Sequence, residues 1–276
     1  MACIEANRLL SLAQLHRIAN ANFLDAVKIL VEYGWAGDPK NAWDIDAFIS
    51  LQAHRLMHFI DEYCAIKNLK KLLLNRLGAI SKLDVSALEL NQNSDIQENA
   101  FAQKYSFIDE HTTIKKPTQL EENVSLASKL SPLLKQSCQY EIDLINILSA
   151  WRKNKLKLSF DVFFNQLLSG GTIETDTFAV LKHADFSHLA YALQASDFEE
   201  CCTALQANDV PLFRQHAFAL MHTLQQPLYD DFEKFGPFLH FVNAKLQEIK
   251  RVNFILVCLK NHIPFNVDQH VSEVEL

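Results

Sequence analysis

Glycine and proline are scarce, with 6 and 7 in 276 residues. A sandwich or barrel of short strands needs turn residues about every 8–12 positions, so a many-stranded β architecture is excluded. The six cysteines, Cys3, Cys64, Cys138, Cys201, Cys202 and Cys258, contain no CxxC spacing, which excludes a zinc ribbon or a dense disulfide framework. They read as reduced, buried thiols of a cytosolic compartment. Cys201 and Cys202 are adjacent on one helical stretch and point to different sides of it, so they do not make a redox pair. No apolar run approaches the roughly 18 residues of a membrane span, and no basic segment followed by an apolar core reads as a signal peptide. Long basic runs are absent and the net charge is −7, so nucleic acid and anionic lipid are not the primary partners. Lys67, Lys70, Lys71 and Arg76 form a local cluster of the kind that solvates a helix face.

What remains is apolar and periodic. Hydrophobic residues make up 49% of the chain and 19 are Phe, enough for a sizeable core. Few breakers and long stretches of helical spacing predict an all-α fold, here a single helical domain over 1–276. Residues 5–19 and the stretch after Asn22 read as two short helices, followed by a turn at Gly37-Asp38-Pro39. A long helix starts at Asp44 or Asp46 and runs towards Leu77-Gly78. Residues 79–120 are more polar, with loops at 91–94 and 115–118. A long helix covers 139–156, and Ser159 caps the next, which ends at Ser169-Gly170-Gly171-Thr172 as a glycine C-cap. Two more helices, Asp197–Ala207 and Pro211–Gln226, precede the last. That last helix, from Glu233 to Asn266, opens at Phe235-Gly236-Pro237 and stops at Pro264.

Two internal similarities stand out. Leu10, Leu15, Ile18, Phe23, Ala26 and Leu30 match Ile173, Phe178, Leu181, Phe186, Leu189 and Leu193 at a constant offset of 163. Tyr140–Lys153 can also be laid on Gln247–Lys260, placing Glu141 on Glu248 and Asn146 on Asn253, with a weaker third copy around Asn68. Approximate repeats at 1–95, 96–170 and 171–276 are therefore expected. Helical repeats build binding surfaces more often than active sites.

No catalytic constellation is found. His54 and His58 have the i, i+4 spacing that can hold a metal, but no HExxH pattern or nearby carboxylate completes it. His183, His188, His216, His222 and His240 are scattered on apolar helices. Gly170-Gly171 lacks the remainder of a phosphate loop. Asp44, Asp46, Asp61, Glu62, Asp230, Asp231 and Glu233 pair as acids do on a solvated face. No cofactor or metal is expected. Glu248 and Asn253 hold the stronger claim. In an apolar helix each needs a hydrogen-bond partner, at a cost of about 1–3 kcal/mol otherwise. They either tie helices together or contact another subunit.

With these residues in view, the chain resembles the C-subunit family of the V/A-type ATPases, which includes the eukaryotic V-ATPase d-subunit. Arg8 through Gly34 is similar to that family's opening helices. Glu141 to Asn146, through Arg152-Lys153, is similar to its central helix, Gly170 to Ile173 to its glycine turn, and Phe235-Gly236 to Asn253, with Lys245 and Glu248, to its final helix. The resemblance covers most of the chain apart from 79–135. It implies a funnel of helices in three pseudo-repeats and a rotor part with no active site. Such a part would sit on the cytoplasmic face of the membrane, join the central-shaft subunits to the proteolipid ring, and couple ATP hydrolysis or synthesis to proton or sodium transport. It would bind no nucleotide. Structural or partner-contact candidates are Asn68, Glu141, Asn146, Arg152, Phe235, Gly236, Lys245, Glu248 and Asn253. The net charge of −7 implies a basic shaft tip. The alternatives are a helical protein-interaction scaffold diverged from this family, or an enzyme whose catalytic residues the sequence leaves dispersed.

Overall fold

The computed structural model describes residues 9–35, 44–80, 119–231 and 235–265. The turn at 37–39, the loops at 91–94 and 115–118, Cys3, Glu233, Asn266 and the start of the expected first helix lie outside them. The described residues are all-helical. In order they form α1 (Leu12–Ala19), α2 (Phe23–Glu32), α3 (Ile45–Tyr63), α4 (Lys67–Ile80), α5 (Gln119–Ala127), α6 (Pro132–Lys155) and α7 (Phe160–Gln166). A 3₁₀ helix (Thr175–Lys182) follows, then α8 (Phe186–Ala192), α9 (Glu199–Gln206), α10 (Val210–Tyr229) and α11 (Gly236–Lys260).

The chain divides into two compact units, one from Met1–Ser94 with Tyr229–Leu276, the other from Asp95–Leu228. The first unit packs α11 against α1 to α4. Leu30, Leu56, Ile60, Leu72, Leu239, Val242 and Ile249 are fully buried there, and Phe59 stacks on Phe238. The second is built on α6, with Tyr140, Leu144, Ile147 and Ala150 facing Phe163, Phe178, Leu181, Phe186, Leu189 and Phe198. Each fully buried Leu, Ile or Phe contributes about 1.5–3 kcal/mol of apolar burial.

Several helix ends differ from the sequence expectation. Residues 9–11 are not helical and α1 begins at Leu12, where Ser11 and Gln14 close a capping box across its first turn. The run from Asp44 is two helices, broken at Cys64, whose backbone turns extended (ψ 100°); neither Gly nor Pro marks the break. α10 continues through Pro227 to Tyr229. α11 ends at Lys260, before Pro264 is reached. His262 takes a left-handed conformation (φ 54°), and the N–H of Ile263 bonds back to the Cys258 carbonyl at 2.9 Å, a Schellman ending. α6 ends the same way. Lys157 has φ 50°, and the Leu158 N–H reaches the Lys153 carbonyl at 3.0 Å.

Two spacings connect the units. The 3₁₀ helix begins and ends 163 residues after α1 does (175 − 12 and 182 − 19), and α8 begins 163 residues after α2 (186 − 23). The caps Asn22 and Asp185 keep the same offset. The long helices α6 and α11 instead end 105 residues apart (260 − 155), and so do their left-handed residues Lys157 and His262 (262 − 157).

Candidate functional site

The polar residues singled out on the long helices fall into two buried clamps, one in each unit. In the first, Lys245 and Glu248 lie one turn apart on α11 and are 0% and 4% exposed. Lys245 Nζ meets Glu248 Oε1 at 2.5 Å. The other carboxylate oxygen accepts the backbone N–H of Leu10 at 2.6 Å. That N–H precedes the capping box of α1 and has no partner within the helix. Lys245 Nζ also sits 5.6 Å from the centre of the Trp35 ring, a cation–π distance. Burial pushes the Lys245 ammonium below its usual range, and the Glu248 carboxylate opposes that shift. The clamp fastens the entry to α1, and Trp35 three residues beyond α2, onto α11.

In the second unit Asp143 does the corresponding work on α6. It is fully buried and accepts three hydrogen bonds: from the Thr172 N–H at 2.7 Å, the Thr172 hydroxyl at 2.7 Å and the Ile173 N–H at 3.1 Å. Burial raises its carboxyl above the ordinary value, and these donors hold it partly down. Asn146, one turn on, bonds both ways with the backbone of Leu168, its amide nitrogen to the carbonyl and its oxygen to the N–H, each at 2.9 Å. Glu121 of α5 takes the N–H and hydroxyl of Ser169 at 2.8 and 2.6 Å. Residues 168–173 are thereby held down from two helices.

The glycine pair belongs to this clamp. α7 ends at Gln166 with Leu167 as its C-cap, so Gly170-Gly171 does not cap it. Gly170 takes a left-handed turn (φ 93°). Gly171 has another reason: a Cβ there would stand 2.0 Å from an Asp143 carboxylate oxygen. The backbone can meet the carboxylate only without a side chain.

The two clamps follow the observed offsets. Leu10 and Ile173, whose N–H groups the carboxylates take, are 163 apart, while Glu248 and Asp143 are 105 apart. Three residues before each carboxylate stand Lys245 and Tyr140. Lys245 lies over Trp35, and Tyr140 packs on Phe198 with ring centres 5.0 Å apart; Trp35 and Phe198 again differ by 163. Tyr140 also donates its hydroxyl hydrogen to Asp197.

The alignment of Glu141 with Glu248 and Asn146 with Asn253 is therefore two residues out of step with the geometry. Two residues rotate a helix by about 200°, so the paired residues face nearly opposite ways. Glu141 is half-buried beside the clamp, and Asn253 is half-buried with its side-chain oxygen lacking a hydrogen-bond partner among the described residues. Asp143 and Tyr140 are the residues that sequence matching missed. The signal for them was available: the 163 offset equates Leu10 with Ile173, and each needs an acceptor on the long helix beside it.

The other candidates lie elsewhere. Asn68 is half-buried in the first turn of α4, and Arg152 is half-buried near the end of α6. Phe235 and Gly236 are buried at the start of α11, with Pro237 in its first turn. His54 and His58 do not converge. His54 Nδ1 lies 2.7 Å from the Ser50 carbonyl of its own helix, and His58 is 3.8 Å from Glu62. Among the described residues no group of three His, Cys, Asp or Glu side chains is placed to hold a metal ion, and no helix is long and apolar enough to cross a membrane.

No curated protein matches the chain. A family profile does: that of the ATP synthase (C/AC39) subunit matches residues 118–266. The match takes in α5 to α11, with Asp143, the glycine turn, Lys245 and Glu248, and covers more than half of the sequence, so this chain belongs to the ATP synthase (C/AC39) subunit family.

Proposed function

We propose that the chain is a non-catalytic rotor subunit of a V/A-type ATPase. In this reading it is an adaptor on the cytoplasmic face of the membrane that joins the central-shaft subunits to the proteolipid ring, so that ATP hydrolysis or synthesis is coupled to proton or sodium transport through it. The observation that carries the reading is the family match over 118–266. The build of each unit supports it. An adaptor that passes torque must resist shear between its helices. Here, short helices are pinned to a long one by buried carboxylates with several hydrogen bonds each, in addition to close apolar packing. The matched offsets support a further part of the proposal, that the units descend from one repeated helical element.

Burial divides the candidate residues. Lys245, Glu248, Asn146 and Asp143 act as internal struts. Half-buried Asn68, Glu141, Arg152 and Asn253 are the ones able to meet a partner, and the net charge of −7 favours a basic shaft tip. The test is recovery of the tagged chain from its native membranes, with the bound proteins identified. Shaft subunits and proteolipid ring are expected together. Recovery of neither, from membranes shown to hold an intact ATPase, would refute the rotor role and leave a helical scaffold with another partner.

A further inference from the structure

We propose that the C-terminal end of α6, in the second unit, is a docking point for an acidic, carboxylate-rich segment of another protein. Residues 119–228 hold 8 Lys and Arg against 12 Asp and Glu. Five of those cations, Arg152, Lys153, Lys155, Lys157 and Lys182, nevertheless gather at one place. Packing brings them together. The 3₁₀ helix runs beside α6 in the same direction: the Ile173 N–H meets Asp143 at 3.1 Å, and the Leu181 carbonyl accepts from Lys153 Nζ at 2.8 Å. Lys182 therefore reaches the level at which α6 ends. Glu174 and Asp176 stay at the other end of the 3₁₀ helix, beside the Asp143 clamp.

Two carboxylates follow closely in the sequence, Asp161 in the first turn of α7 and Asp185 at the N-cap of α8. Asp185 is engaged, accepting the Ser187 N–H at 3.0 Å and lying 3.1 Å from His188 Nδ1. Counting both acids, the local balance is still +3 (5 − 2). Lys155, Lys157 and Lys182 are exposed. Lys155 Nζ lies 5.8 Å from the centre of the Trp151 ring, and the Trp151 indole N–H has no acceptor among the described residues. This end is rich in donors and short of acceptors, which is what carboxylates supply. The helix dipole accounts for cations in the last turn of α6. It does not account for a lysine at 157, where φ is 50° and glycine would sit without strain. The charge of −7 on the whole chain opposes a membrane surface or a nucleic acid, whose field extends over the molecule. A short acidic segment meets only the charges within a Debye length, about 8–10 Å, and there the sign is positive. The segment is opposite in sign to the basic shaft tip that the net charge favours, and the inference does not rest on the rotor reading.

The experiment uses the full chain, tagged, in its native membranes, with p-benzoylphenylalanine in place of Asn154 or of His183, both exposed. Neither replacement removes one of the five cations. Irradiation and mass spectrometry then identify the segment captured. Both positions are expected to capture the same protein segment, with Asp and Glu in excess. Capture is expected to fall about 5-fold between roughly 50 and 300 mM NaCl, and by a similar factor with Lys157→Glu. Lys157→Gly separates docking from folding. It removes the charge while relieving the left-handed backbone, so capture is expected to fall while resistance to urea rises. Lys135→Glu, about 30 Å away along α6, is expected to leave capture unchanged. Capture of lipid, of nucleic acid, of a segment without an excess of acids, or of no partner overturns the proposal. So does capture that is indifferent to salt and to Lys157→Glu, or that falls as much with Lys135→Glu.

Discussion

Replacing Gly171 with alanine separates two effects of opposite sign. Gly171 does not have a left-handed backbone, since Gly34 and Gly170 are the glycines with positive φ among the described residues. With no steric conflict, Gly→Ala raises stability by about 0.4–1 kcal/mol by restricting the unfolded chain. Here the added Cβ would stand 2.0 Å from Oδ1, 2.8 Å from Cγ and 3.3 Å from Oδ2 of Asp143. All three atoms belong to one short, buried side chain. It must swing away and give up the three hydrogen bonds from Thr172 and Ile173. Leaving a buried donor unmade costs about 1–3 kcal/mol, and partial rehydration of the turn recovers some of that. The net expectation is a loss of about 3–5 kcal/mol, of the size seen when one partner of a buried charged pair is removed. At about 2–4 °C per kcal/mol for units of this size, the melting temperature falls by roughly 10 °C.

Urea unfolding followed by circular dichroism measures the loss, and hydrogen exchange localises it to the amides of residues 168–173. The decisive comparison is a cycle with Asp143→Ala. Once the carboxylate is gone the clash is gone, so Gly171→Ala in that background is expected to cost close to nothing. The coupling is then about 3–5 kcal/mol, far above the few tenths expected of independent sites. A Gly171→Ala variant that is more stable than the parent, or a double variant whose cost is the sum of the singles, would refute the clamp.

Three further outcomes follow from the same geometry. Lys157→Gly and His262→Gly each remove a side chain from a left-handed C′ position (φ 50° and 54°), a conformation that costs other residues about 1–2 kcal/mol. Each is expected to raise the unfolding free energy measured in urea by about 0.5–1 kcal/mol after the extra chain entropy of glycine. The carboxyl of Asp143 titrates above its ordinary value of 3.8 because of burial, so its contribution to stability is fully present below that value and is lost as pH rises through the folded-state value. The stability difference between the parent and Asp143→Asn should therefore shrink as pH is raised from 4, and a difference that grows with pH contradicts the direction. Burial lifts the Cys201 and Cys202 thiols to about 12, so neither should react with a disulfide reagent at pH 8 until the chain is unfolded.

The parts of the fold legible in the sequence were those in which local chemistry and packing agree. α1 and α2, with their counterparts 163 residues on, each open on a fixed apolar spacing. The caps Asn22 and Asp185 bond to the first turns of α2 and α8, so one pattern states both helix type and register. The long helices were legible as helices but not in register. A fully apolar background carries little directional information, and matching by residue identity seized on Glu141 with Glu248 and Asn146 with Asn253. The structure instead repeats a role, with different residues filling it. An aspartate and a glutamate each take an orphan N–H ahead of a short helix, while a tyrosine and a lysine each meet an aromatic ring beyond the second one. Side-chain length does not decide such a place. What decides it is which face of the helix lies against unsatisfied backbone, and that is settled only when the two stretches are packed.

The same reasoning explains why the glycine pair was misassigned. Ser169 to Thr172 has the composition of a helix C-cap, and Gly170 has the left-handed geometry that such a cap uses. The helix nevertheless stops at Gln166. Leu167 and Leu168 intervene because Leu167 is buried at 5% exposure and the Leu168 backbone is claimed by Asn146. A contact 22 residues away in sequence thus overrides the local stop signal, and the glycines are retained for the carboxylate that the turn must approach. Substitution at Gly171 therefore reads out a tertiary contact, whereas a substitution at a true C-cap would read out only the end of one helix.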